Sequence, residues 1–147
     1  MTKSSLIIDS NSIFHELRQR DGSPRLDYRQ LPSKIASVLQ LEWESKTVLV
    51  AKKNKGSYKS FVSMLESFGY EVLEYDPEMQ ESSITMNLMS QSMRGSNITF
   101  VTANERLKPV LNKVPMLLIT FNRLDFGDLP YPVVPMQEEW LWTPQNA

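Results

Sequence analysis

Short apolar runs, several of them β-branched, recur along this chain, and stretches with helical spacing lie between them. The runs are Leu6-Ile7-Ile8, 47–51 (TVLVA), 71–74 (EVLE), 98–101 (ITFV) and 116–120 (MLLIT). A run as uninterrupted as TVLVA lacks the alternation of a strand with one wet face and suits a parallel sheet covered on both sides. The intervening stretches place Ile13, Phe14 and Leu17 on one helical face, then Ile35, Val38 and Leu39, then Phe61, Val62 and Leu65. Asp21-Gly22-Ser23-Pro24 reads as a turn, Gly69 as the residue that closes a helix, and 104–112 as a helix weakened by Pro109. Strand–helix alternation of this kind predicts a three-layer α/β sandwich with a mainly parallel, five-stranded sheet and right-handed crossovers.

A chain of 147 residues predicts one domain with a real core. Cysteine is absent, which removes disulfides and thiolate zinc sites. No stretch reaches the ~18 apolar residues of a membrane span, and MTKSS does not open a signal peptide. A soluble, cytoplasmic protein without membrane partners is the expectation. Residues 1–123 carry the alternating pattern, whereas 124–147 form a tail without Lys or Arg that holds Pro130, Pro132, Pro135 and Pro144. Prolines this dense oppose a helix or a central strand. Trp140 and Trp142 are costly to leave in water, so the tail is either a strap packed along the domain or a docking peptide for a protein partner.

In a parallel sheet the strand C-termini share one edge, and ligands gather there. Four segments are expected to meet at it: Asp9-Ser10-Asn11, the basic stretch 52–59 (KKNKGSYK), the acidic stretch 76–81 (DPEMQE), and 102–106 (TANER). Carboxylates such as Asp9 and Glu81 are the hard oxygen ligands that Mg²⁺ or Mn²⁺ takes for phosphodiester hydrolysis. Lys52, Lys53, Lys55 and Lys59 suit phosphate contact, and Tyr58 suits base stacking. Asp9 also stands where a carboxylate caps a helix. His15, the single histidine, follows one turn after Asn11 and is either a general acid or a residue without a role. Met79, Met86, Met89 and Met93 read as core filler at helical spacing. Charge is divided: residues 1–60 carry 11 Lys and Arg against 6 Asp and Glu, and residues 61–147 carry 5 against 11. A basic face opposite an acidic remainder follows.

The order of these segments resembles the PIN-like nuclease superfamily, which includes the 5′ nucleases and the NYN ribonuclease domains. LIIDSNSIF resembles the family's opening motif, an apolar strand ending in Asp, then a small residue, Asn and a helix. KTVLVAKKNKGSYKSF is similar to the second strand and its basic continuation, and GYEVLEYD with Glu78 and Glu81 stands where the family has an acidic cluster. ITFVTANERL resembles the strand and turn that carry two further Asp residues. The resemblance spans residues 5–120 and implies a PIN-like fold that binds RNA or DNA. It also implies a metal site on Asp9, Glu81 and Asn104, and strand contacts through Asn11, Lys52, Lys53, Lys55, Tyr58, Lys59 and Arg106.

Asn104 and Arg106 replace the two Asp residues of the last motif, and Ser82-Ser83 replace paired acids in the third segment. A degenerate acidic site of this kind predicts nucleic-acid binding with weak or absent Mg²⁺- or Mn²⁺-dependent nuclease activity. The alternative is a protein-interaction or regulatory module that docks through Trp140 and Trp142.

Overall fold

The structure, a computed structural model, describes residues 1–143, so Pro144 of the tail lies outside the described residues. The chain runs β1 (Thr2–Asp9), α1 (Ser10–Arg18), β2 (Arg25–Leu26), α2 (Leu31–Leu39), β3 (Leu41–Ala51), α3 (Gly56–Ser67), β4 (Glu71–Tyr75), α4 (Gln80–Met93), β5 (Ile98–Val101), α5 (Lys108–Leu111), β6 (Leu117–Thr120), β7 (Val133–Pro135) and β8 (Leu141–Trp142). The six strands of the main sheet lie in the order β4-β3-β1-β5-β6-β7 and are all parallel. Helices α1, α2 and α3 cover one face through Ile13, Leu17, Leu31, Ile35 and Leu65. Helices α4 and α5 cover the other through Ile84, Leu88, Val110 and Leu111. The result is the expected three-layer α/β sandwich. No helix among the described residues is long and apolar enough to cross a membrane.

The sheet has six strands rather than five. The sixth, β7, comes from the proline-rich tail and pairs with β6 at Leu118–Val133, Ile119–Val134 and Thr120–Pro135. Proline cannot donate to a ladder, so it is tolerated here because β7 is an edge strand. Past β7, β8 pairs antiparallel with β2. Trp140 is 1% exposed within the core formed by α1, α2 and the first sheet face. The boundary expected at residue 124 therefore separates no independent unit: the tail finishes the sheet and closes the core. This is the strap of the two readings the sequence left open; Trp140, with its ring inside, is not the partner-facing anchor of the docking-peptide alternative.

Three other expectations change. The strand at 47–51 is the apolar half of a longer β3, which starts directly after Gln40 closes α2 in the left-handed conformation, φ +56°. The helix expected over 104–112 is split into a 3₁₀ turn, Glu105–Leu107, and the short α5, whose Pro109 occupies a first-turn position where its missing N–H costs nothing. The methionines of α4 are not core filler: Met79, Met86, Met89 and Met93 are all exposed, Met93 by 85%. Ile84 and Leu88 take the inward face, and both are fully buried.

Candidate functional site

Strand order reverses at β1. From there the chain builds β3 and β4 to one side, then returns to lay β5, β6 and β7 on the other. The carboxyl ends of β1 and β5 consequently diverge at a topological switch point, where open α/β sheets form their ligand crevice. Asp9 ends β1, and Thr102 follows β5 directly beside it.

Both side chains lie on the α4/α5 side by strand alternation, following Ile7 and Phe100. The Thr102 hydroxyl donates to Asp9 Oδ2 at 2.8 Å and accepts from the Asn104 N–H at 3.0 Å. Ser12, in the first turn of α1, lies 3.2 Å from the Thr102 hydroxyl and accepts from the Ala103 N–H at 3.0 Å. This network ties the start of α1 to the loop after β5. Asp9 sits at the N-cap position of α1, where its carboxylate makes no side-chain capping bond of ordinary geometry. Its carboxylate is fully buried, and Oδ1 has no partner among the described residues. Burial pushes its pKa above the usual carboxylate value, against the opposing pull of Ser12 and Thr102.

Above this floor lies an open crevice of about 330 Å³ between α1, the start of α4 and the loop after β5. Asn11, His15, Gln80, Glu81, Asn104 and Arg106 line it, so four of the sequence-predicted site residues (Asn11, Glu81, Asn104 and Arg106) do converge there. Their polar atoms are engaged with one another. Arg106 reaches Glu81 at 3.7 Å, Asn11 donates to Gln80 at 3.4 Å, and Asn104 Oδ1 accepts the Arg106 N–H at 3.1 Å. The three residues expected to hold Mg²⁺ or Mn²⁺ do not present a cation site. Asp9 is sealed beneath the surface, Glu81 faces a guanidinium, and Asn104 spends its oxygen capping a 3₁₀ turn. No group of three acids or histidines among the described residues is placed to share a metal. The donor set does not fit a divalent ion.

The basic stretch follows β3 at the same sheet edge, and Lys52, Lys53, Lys55 and Lys59 are all exposed. Lys52 pairs with Asp76 at 3.8 Å, a contact between two largely exposed groups that contributes little and opens readily to a competing anion. Tyr58 packs against the core with its ring partly buried. Its hydroxyl donates to Glu74, and partial burial together with that carboxylate pushes its pKa up. The free aromatic at this edge is Phe14, which the sequence placed inward with Ile13 and Leu17. Ile13 and Leu17 are buried, whereas Phe14 is 50% exposed. Ile13 and Leu17, four residues apart, take the inward stripe of α1, and Phe14 lies at its edge.

A second hollow of about 340 Å³ lies between β4 and α4, with Leu49, Leu73, Tyr75, Ser83 and Asn87 in its walls. The Tyr75 hydroxyl and Asn87 Oδ1 are buried and without a partner among the described residues. Burial, with the nearby Asp9 carboxylate, raises the Tyr75 pKa. An unpartnered buried hydroxyl loses its hydration without return, a penalty of about 1–3 kcal/mol. Tyr75→Phe should therefore leave stability unchanged or raise it by about 1 kcal/mol, as read from urea denaturation. A loss of comparable size would show that the hydroxyl is bonded in solution.

No protein-family model matches the chain, and no curated protein matches it. A crystal structure of a protein of unknown function from Vibrio parahaemolyticus is similar, with a TM-score of 0.77. The likeness covers 95% of this chain and 96% of that chain at 13% sequence identity, and it shows a shared fold.

Proposed function

We propose that the chain is a nucleic-acid-binding domain of PIN-like type. It engages RNA or DNA along the C-terminal edge of its sheet, and metal-dependent phosphodiester cleavage is weak or absent. The observation that carries this reading is the meeting of a polar switch-point crevice with four exposed lysines at one sheet edge. Phosphate contacts need mobile cations that give up little on binding, and Lys53, Lys55 and Lys59 make no ion pair among the described residues. Arg106 at the crevice rim is 80% exposed and can leave Glu81 for a phosphate. The sealed Asp9 and the committed oxygens of Glu81 and Asn104 support weak or absent cleavage.

Binding of labelled oligonucleotides across a salt series tests the proposal. Affinity should fall linearly on a log–log plot, and Lys52/Lys53/Lys55→Glu should abolish binding. Milder Gln substitutions at the same three positions should reduce the salt slope by about three. Failure of the native chain to bind any oligonucleotide at low salt would end this reading. Cleavage assays with Mn²⁺ should find the native chain and Asp9→Asn alike; activity in the native chain alone would restore a catalytic role.

A protein-interaction module on the same scaffold is the second reading. The row of exposed methionines on α4 favours it, because flexible thioethers adapt to partner surfaces. The tail favours it less. Of its two tryptophans only Trp142 remains half exposed, with the Arg25 guanidinium 5.7 Å from its ring centre.

A further inference from the structure

Phe14 stands out because α1 had an inward face to offer and this ring is not on it. The first and second turns of α1 bury Ile13 and Leu17, while Phe14 projects with half its surface in water. Its surroundings are cationic and polar rather than apolar. The Lys53 ammonium lies over the ring, 5.6 Å from its centre, and the His15 imidazole meets it edge-on at 5.9 Å. Asn11, Phe14, His15 and Arg18 recur at the spacing of one helical stripe, and Asn11 and His15 also line the switch-point crevice. An aromatic face beside mobile cations at the ligand edge of a sheet is the pairing that single-stranded nucleic acid requires: a platform for a base, and charge for the phosphate next to it.

We infer that Phe14 is the base-stacking platform of this chain and that its ligand is single-stranded, a conclusion that rests on the nucleic-acid reading above. A base can lie on an exposed ring only when it has left its neighbours, so a continuous duplex offers Phe14 nothing to stack on. Lys53 now rests on the ring. A base arriving on Phe14 takes over that contact and brings a phosphate within reach of the same ammonium, so the lysine exchanges a π-face for an anion. Phe14 thereby fills the role that the sequence assigned to Tyr58, whose hydroxyl is held by Glu74.

The test is fluorescence anisotropy of a labelled single-stranded oligonucleotide and of its duplex, against the full chain and two variants. Phe14→Ala is an exposed substitution that leaves the core intact. It should weaken single-strand binding by about 5- to 150-fold and leave the salt slope unchanged, since no phosphate contact is lost. Phe14→Trp should keep the affinity and add fluorescence quenching beyond that of the chain's own tryptophans. The native chain should prefer the single strand to the duplex. Salt-dependent binding by the native chain with Phe14→Ala equally tight, or with duplex bound as well as single strand, overturns the stacking role alone. No binding by the native chain overturns the nucleic-acid reading and this inference together.

Discussion

Trp140→Ala is expected to remove about 3–5 kcal/mol of unfolding free energy, the usual loss for deleting a fully buried indole. Such a loss is a large share of the ~5–15 kcal/mol that holds a domain together. At about 2–4 °C per kcal/mol for a chain near this size, Tm should fall by roughly 6–20 °C. The reason lies in what the ring completes. Trp140 packs in the same core as Leu26, Leu31 and Ile35, and its carbonyl accepts the Asp27 N–H at 3.0 Å. Lys34 adds a bond to the Glu139 carbonyl at 2.7 Å. Trp142 is the control. It is 45% exposed, so Trp142→Ala should cost about 1 kcal/mol or less. Removal of residues 124–147 also takes away β7 and β8, and the remainder should not fold cooperatively. A truncated chain with a native-like thermal transition, or Trp140→Ala within 1 kcal/mol of the native chain, would show that the tail is dispensable.

Asp9→Asn is expected to stabilise the protein at neutral pH by about 1–3 kcal/mol, an unusual sign for a buried polar substitution. The carboxylate is fully buried, with one oxygen bonded to Thr102 and the other without a partner among the described residues. Burial raises its folded pKa above the unfolded value near 3.8, so the folded state holds the proton more tightly than the unfolded state does. The stability that the protonated form contributes is complete below that value and is lost as pH rises through the raised folded pKa. Asparagine copies the neutral form at every pH. The two proteins should therefore melt alike near pH 4, and the gap should open as pH climbs and then level off. Thermal melts across that range check it. A native chain at least as stable as Asp9→Asn at neutral pH would show that the charge is compensated. A Tm increase on adding Mn²⁺, seen in the native chain and absent in Asp9→Asn, would identify the compensating charge as a metal.

The sheet was legible wherever a strand is buried on both faces, because only then is the run apolar throughout. Leu6-Ile7-Ile8, TVLVA, ITFV and MLLIT all became strands. The strand β7 escaped because it is an edge strand flanked by prolines, and its pairing depends on β6 rather than on its own composition. Helix faces were harder. On α4 two apolar stripes compete, and periodicity does not say which one the sheet will cover. EEWLW left strap and docking peptide both open for a related reason: a 3₁₀ turn at Glu138–Trp140 breaks the two-residue alternation, so one indole turns inward and the other outward. At the site, the meeting of Asp9 with the loop after β5 followed from parallel topology alone. Its burial did not, because Thr102 and Ser12 seal it through contacts formed only once distant segments have met.

The central place of β1 has a kinetic consequence. Its neighbours are β3, about forty residues on, and β5, about ninety residues on. Leu6, Ile7 and Ile8 thus leave a ribosome well before the two strands that cover β1 on both sides. Loop-closure entropy is lost in full before such distant pairings return any stability, so folding should be slow, on the order of milliseconds to seconds. A nascent chain halted before residue 98 would carry a bare apolar strand edge, the kind of surface that aggregates or recruits a chaperone.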